Sequence, residues 1–308
     1  MELQSGEFVR LANNFYNENN LVVDINRIAV DSQLVNYINS RQTEVKKKFK
    51  VAMCAICLNP PYWPYAKQMI ESAKQFFLPG HNVDYFLWSD MPKDTNYGAT
   101  VFEIEPIEWP MPTLMRFHTM LQQEEKLKEY DYIFYCDVDM VFVNVVGDEI
   151  LSELTACQHP MYALRKEYWP PYEPNKESSS YIPRPGQVIN ENGKPRFMPL
   201  YFAGGFQGGK AKDWIKAMKE MKKMVDGDLN KRNYIPIWND ESVWNAYLFK
   251  NPPSKVLSPS YIYPDSLIKE YYEKIWGCSY LPRLVTLTKK FSTSKEGADA
   301  VKQMLTNI

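Results

Sequence analysis

One stretch limits the fold more than any other: Tyr132-Ile133-Phe134-Tyr135-Cys136-Asp137-Val138-Asp139, an unbroken apolar run that stops at two carboxylates one residue apart. A short, fully apolar run of this kind predicts a buried strand, and its acidic end predicts a strand that delivers ligands. In an extended backbone Asp137 and Asp139 point to one face about 6.5–7 Å apart, while Val138 turns to the core. Two like charges on one edge resist burial unless a cation sits between them. A hard divalent ion takes oxygen ligands and keeps positions open for phosphate oxygens, which points to Mn²⁺, with Mg²⁺ as the alternative, and a nucleoside diphosphate. The competing reading is two acids at a solvated strand end.

The flanking pattern supplies the sheet. Strands are expected at Val51 to Cys57, Val83 to Trp88 and Thr100 to Ile104, and helices at about Tyr65 to Phe77 and Thr113 to Lys128, before the strand ending at Asp137. Such alternation predicts an α/β fold, a mostly parallel central sheet flanked by helices, with ligands at the carboxyl ends of its strands. Residues 1–50, ending in Lys46-Lys47-Lys48-Phe49-Lys50, read as an N-terminal helical extension, and residues 51–308 as a single catalytic domain. A hydrophobic share of 45% in 308 residues is ample for a core. A net charge of −1 argues against non-specific nucleic-acid binding, which needs surplus cations. Five cysteines, several inside apolar runs, favour a reduced compartment; Cys54 and Cys57 have zinc-like spacing without a second pair. Three histidines disfavour a multi-histidine metal centre. No transmembrane segment is evident, so a cytoplasmic protein is expected, peripheral at a membrane if its substrate is lipid-linked.

Downstream the texture changes. Residues 165–197, dense in proline, serine, asparagine and glycine, read either as a lid or specificity loop or as disorder. The cluster Ala203-Gly204-Gly205-Phe206-Gln207-Gly208-Gly209 fits neither a Walker loop, since Lys210 precedes Ala211, nor the Rossmann spacing. It reads either as close approach of backbone to ligand or as a turn needing positive φ. Helices follow from about Lys210 to Val225 and from Asn239 to Leu248, where Asn239 suits a cap and Asp240 and Glu241 suit a helix's first turn. An aromatic share of 14% suits sugar stacking, though most such rings serve as core. Apolar residues followed by Asp-x-Asp-x-Val also describe the first motif of haloacid-dehalogenase-type phosphatases, with Asp137 as nucleophile. Over a hundred residues precede the motif here, and no later lysine and acidic-pair motifs complete the set.

In chain order, further landmarks are Gly80-His81, Trp109 with Leu114 and Arg116, Asp137-Val138-Asp139-Met140, His159-Pro160 and Tyr181-Ile182-Pro183. Gly204-Gly205-Phe206 with Gly208-Gly209, Trp238-Asn239-Asp240-Glu241-Ser242, and Leu257-Ser258-Pro259 before Tyr261 complete them. Over roughly residues 51–290 this ordered set resembles glycosyltransferase family 6, which includes the histo-blood-group A and B transferases, α-1,3-galactosyltransferase and bacterial relatives. The resemblance implies a GT-A fold and a retaining α transfer of GalNAc or Gal from a UDP-sugar to the 3-hydroxyl of a galactoside acceptor, fucosylated or not. By position, Asp137 and Asp139, flanking Val138, would hold Mn²⁺ against the UDP diphosphate, and Arg116 would contact the donor. Ala55, Ile56 and Tyr62 match the uridine-binding segment loosely, and Ala203, Gly204 and Gly205 the donor-sugar segment. Asp240 would bind donor hydroxyls and Glu241 would face the anomeric carbon as the catalytic residue. Lys289 and Lys290 resemble the basic tail that closes on the diphosphate, and His159, Trp238 and Asp265 would meet the acceptor.

Departures concern the acceptor side. Asn239 replaces the usual histidine, Pro170-Pro171 stand where Phe-Thr is frequent, and Pro264 falls where an acceptor-binding aspartate is common, with Asp265 one place late. Many bacterial relatives carry Asn-x-Asn without metal, whereas Asp137-x-Asp139 predicts metal dependence. The Ala-Gly-Gly triplet resembles that of GalNAc-using members, on the argument that the hydrogen at Gly205 leaves room for an acetamido group. A glycan-binding protein that has lost turnover on the same scaffold is the non-enzymatic alternative.

Overall fold

A computed structural model describes residues 47–162, 170–183, 201–265 and 282–289. The expectations for residues 1–46, for Lys290 and for most of the 165–197 loop lie outside these.

The chain opens on β1 (Lys50–Cys57), crosses through α1 (Trp63–Phe76) to β2 (Asn82–Ser89) and reaches β3 (Thr100–Glu103). α1 forms because Tyr65, Ala66, Met69, Ile70 and Ala73 recur on one buried stripe and a proline occupies its first turn. The helix expected over Thr113–Lys128 is instead three short pieces, α2 (Met111–Leu114), α3 (Arg116–Leu121) and α4 (Glu124–Leu127). Met115 (ψ 10°) and Gln123 (ψ 30°) leave the helical basin between them. Next come β4 (Tyr132–Cys136), β5 (Met140–Phe142), β6 (Thr155–Gln158), β7 (Phe202–Lys210), α5 (Ala211–Arg232), α6 (Asn239–Lys250), β8 (Lys255–Leu257), β9 (Tyr263–Pro264) and β10 (Leu284–Thr286).

Among the described residues seven strands form the central sheet in the order β3-β2-β1-β4-β7-β6-β8. β1 pairs parallel with β2 and β4, β2 with β3, and β6 with β8; β7 alone runs antiparallel, between β4 and β6. Its two faces are separate cores. α1 covers one, packed with Met53, Phe77, Phe134 and Phe206; α3, α5 and α6 cover the other, around Trp88, Phe117, Trp214 and Trp244. A small sheet, β5-β10-β9, lies beyond the carboxyl end of β4.

Two expectations need correcting. The glycine cluster is no ligand loop along its length: it is β7 itself, and Gly208 is glycine because a Cβ there would run into the Ile133 carbonyl and the Phe134 side chain of β4. Asp137 and Asp139 do not continue the strand either. β4 ends at Cys136, and Asp137-Val138-Asp139 form the turn into β5, so strand alternation does not set their directions. Backbone bonds fix this turn: Asp137 N–H donates to Gly205 O at 2.8 Å, and Asp139 O accepts from Leu287 N–H at 2.8 Å. Cys54, Cys57, Cys136 and Cys157 are free and buried. Among the described residues no helix is long and apolar enough to cross a membrane.

Candidate functional site

The antiparallel insertion of β7 brings its middle against the end of β4, with Cys136 opposite Phe206. Sequence segments nearly seventy positions apart thereby share one edge. Arg116, the first residue of α3 and 3% exposed, is the hub. Its Nη1 donates to Gly204 O at 2.7 Å, its Nη2 to Asp137 Oδ1 at 3.3 Å, and its Nε lies 3.1 Å from Asp240 Oδ2. The Nε–Oδ2 pair is an ion pair outside hydrogen-bonding geometry, so both buried atoms keep unused hydrogen-bonding capacity. The guanidinium also lies over the Tyr135 ring, 4.2 Å from its centroid.

Asp240 and Glu241 enter on the first turn of α6. Asn245, one turn on, fixes that helix to β7: its amide accepts from Phe202 N–H at 2.9 Å and donates to Phe202 O at 2.8 Å and to Glu241 O at 2.8 Å. Glu241 Oε2 accepts from Gly204 N–H at 2.9 Å. The Tyr201 hydroxyl lies beside the same carboxylate, close enough to favour its charge yet outside strict hydrogen-bonding geometry. Burial pushes Glu241 up to about 7 against those helpers. Asp240, 2% exposed, is pushed up to about 8, first by burial and then by the charges of Asp137 and Glu241, with Arg116 opposing. Arg116 points the other way: burial disfavours its charge, but Asp240, Asp137 and Glu241 outweigh burial and hold it protonated. The two partners reconcile if three carboxylates share one guanidinium, which leaves the acids short of positive charge.

Asp139 adds to the deficit. It is 8% exposed, and burial and then the Asp137 charge raise its pKa while Lys289 offsets them. Lys289 Nζ pairs with Asp139 Oδ2 at 3.0 Å and lies 5.5 Å from the Tyr62 ring centroid, so the loosely matched Tyr62 borders the tail lysine that holds this acid. Fully ionised, Asp137, Asp139, Asp240 and Glu241 against Arg116 and Lys289 leave a formal −2 among the described residues, and the raised pKa values of Asp240 and Glu241 let protons take up part of it. A divalent ion balances that charge, and two carboxylates with oxygen donors fit it. Among the described residues no group of three or more His, Cys, Asp or Glu side chains could hold a metal ion, so a cation at these two carboxylates would depend on ligand oxygens and water for its remaining positions.

The other expected residues divide. His159 packs tilted against Tyr162 and edge-on to Tyr201, and its Nδ1 accepts from Met161 N–H at 3.2 Å, leaving the proton on Nε2. Burial lowers its pKa to about 4, so it is a neutral donor. Trp238 is 48% exposed beside exposed Ile237 and Ile235, an apolar edge leading into α6. Asp265 spends both carboxylate oxygens on Thr288, tying β9 to the segment that carries Lys289. Ala55 is buried within β1 and Ile56 packs against the core. Asn239 gives no side-chain cap to α6 and adopts φ 49°. Ala203 and Val138 are buried. The room expected at Gly205 is not open: a Cβ there would lie 2.9 Å from Ile262 Cδ1 and 3.0 Å from Asp137 Oδ2, so the missing side chain accommodates protein and not an acetamido group. Sequence reasoning missed Tyr135, Tyr201 and Asn245; a polar tip inside an apolar run was their only signal.

The model of "Glycosyltransferase family 6" matches residues 37–275. Histo-blood group ABO system transferase 1 of Rattus norvegicus is 33% identical over 219 residues, 67% of this chain and 59% of the rat protein. Globoside alpha-1,3-N-acetylgalactosaminyltransferase 1 of Homo sapiens is 29% identical over 214 residues, 66% of this chain and 58% of that protein. O-antigen biosynthesis glycosyltransferase WbnI of Escherichia coli is 28% identical over 201 residues, 63% of this chain and 80% of its own. The match spans less than two thirds of the length of the rat and human proteins.

Proposed function

This chain belongs to glycosyltransferase family 6, and from that membership we propose that it is a retaining, metal-dependent transferase moving GalNAc, or else Gal, from a UDP-sugar to the 3-hydroxyl of a galactoside. Its architecture is GT-A-like. The observation that carries the reading is the set of four acids, Asp139 and Asp240 buried and Asp137 and Glu241 half-buried, gathered around Arg116 and Lys289 where β4 meets β7. The α-1,3 linkage and GalNAc rest on relatives named as such, since the space argument at Gly205 does not hold. Family membership leaves no ground for the phosphatase alternative, and Asp137 Oδ1, engaged by Arg116 and Tyr135, is a poor nucleophile.

Asp137 and Asp139 would hold Mn²⁺, which when bound supplies positive charge to the UDP diphosphate. As the glycosidic bond breaks, negative charge grows on the diphosphate and positive charge on the anomeric carbon. Lys289, released from Asp139, would pair with the leaving group together with Arg116. At an effective dielectric near 20, a unit pair about 4 Å apart is worth roughly 4 kcal/mol, on the order of a thousandfold in rate. Asp240 Oδ2, without a hydrogen-bond donor among the described residues, would accept from a donor-sugar hydroxyl. Glu241, its Oε2 held by Gly204, would face the anomeric carbon and stabilise its charge or attack it. His159 Nε2–H and Trp238 would meet the acceptor.

Incubation with UDP-GalNAc or UDP-Gal and a fucosylated galactoside tests the reading. Expected are a new disaccharide linkage with Mn²⁺, preference for UDP-GalNAc, loss of turnover in EDTA, and a drop of roughly 10²–10³ for Glu241→Gln. Binding without turnover would support the non-catalytic alternative, and unchanged activity in chelator would remove the metal.

A further inference from the structure

We infer that Tyr135 is a positioning residue that assigns the two oxygens of Asp137 their separate tasks, committing Oδ1 to the protein and leaving Oδ2 for the cation. The inference rests on Asp137 being a metal ligand, as proposed above. Tyr135 is the penultimate residue of β4 and 3% exposed, so its side chain has one fixed placement. Its hydroxyl donates to Asp137 Oδ1 at 2.7 Å, and Arg116 Nη2 reaches that same oxygen at 3.3 Å. The phenol ring meanwhile lies beneath the Arg116 guanidinium. One side chain thus orients the carboxylate directly and also through the cation that shares it.

Oδ2 is left differently. Among the described residues no donor reaches it, and it lies on the side where Gly205 has no Cβ. An oxygen with no protein donor next to an acid-rich turn is the one a cation would take, and a carboxylate already held on its other oxygen binds without losing rotamer freedom. A tyrosine that only filled the core would need no hydroxyl here; phenylalanine would do.

Mn²⁺ affinity in the presence of UDP, read by calorimetry and by the Mn²⁺ EPR signal, tests the assignment in wild type, Tyr135→Phe and Tyr132→Phe. Tyr132 loses the same atom at the opposite end of β4, where it pairs with Val51 and Lys210. Tyr135→Phe is expected to weaken Mn²⁺ binding about tenfold, the scale of a hydrogen bond to a charged group. Its metal-free melting temperature should stay close to wild type, and Tyr132→Phe should bind Mn²⁺ normally. In an Asp137→Asn background the Tyr135→Phe effect should vanish. Wild-type affinity in Tyr135→Phe, an equal loss in Tyr132→Phe, or an undiminished effect without Asp137 would each overturn the assignment while leaving the metal reading intact. Wild-type protein that binds no Mn²⁺ with UDP would defeat the metal reading itself, and Tyr135's role with it.

Discussion

Asp240 and Glu241 carry raised pKa values, about 8 and about 7, with burial as the largest cause. In the unfolded chain such acids titrate near 4, so between those limits the folded state binds more protons. Stability from these groups is therefore full below about pH 4 and is lost as pH rises through 7 and 8, the reverse of an ordinary salt-bridged acid. In EDTA the melting temperature should fall by a few degrees between pH 6 and pH 8.5, and Asp240→Asn should flatten that fall. A melting temperature that rises over this window, or an equal fall in Asp240→Asn, contradicts the pKa assignments. At this scale the acids were legible, because Asp137, Asp139, Asp240 and Glu241 stand in motifs. Tyr135 and Asn245 were not, since a tyrosine in an apolar strand and an asparagine in a helix look like core and surface until the fold sets them beside Asp137 and Phe202.

Elements show the same division for a different physical reason. β1, α1, β2, β3 and β4 were readable because each carries its own hydrophobic period. β7 was not: Ala203 to Gly209 has small side chains and no alternation, so its identity as a strand comes from its neighbours, β4 and β6. Those neighbours also explain its glycines unequally. A Cβ at Gly208 would collide with β4 backbone, which cannot move without breaking the ladder, whereas one at Gly204 would meet Asp240 Oδ2 at 3.1 Å and could be relieved by a small shift. Gly208→Ala should destabilise the protein by about 3 kcal/mol or more in urea unfolding, the upper part of the overpacking range. Gly204→Ala should fold nearly as well as wild type and lose donor binding instead. Similar unfolding midpoints for the two variants would show that the β4–β7 contact is looser than it looks.

For the whole molecule, charge balance decides when the site is complete. Fully ionised, four acids against Arg116 and Lys289 leave it at −2, and Lys289 lies on Asp139 from a tail strapped down through Thr288 and Asp265. A metal that took Asp139 Oδ2 would displace that ammonium, and the freed lysine would then be available to an incoming diphosphate, so metal and nucleotide should each strengthen the other. Lys289→Ala separates the two effects. With the competing ammonium gone, Mn²⁺ alone should bind several-fold more tightly, while UDP in saturating Mn²⁺ should bind roughly tenfold more weakly. Both shifts should shrink as salt rises, because the Lys289 side chain is 45% exposed and screened. Calorimetric titrations of each ligand with and without the other read both at once. If Lys289→Ala weakens Mn²⁺ and UDP alike, the lysine is a strut holding the tail; if it changes neither, the Asp139 pair has no part in the binding cycle.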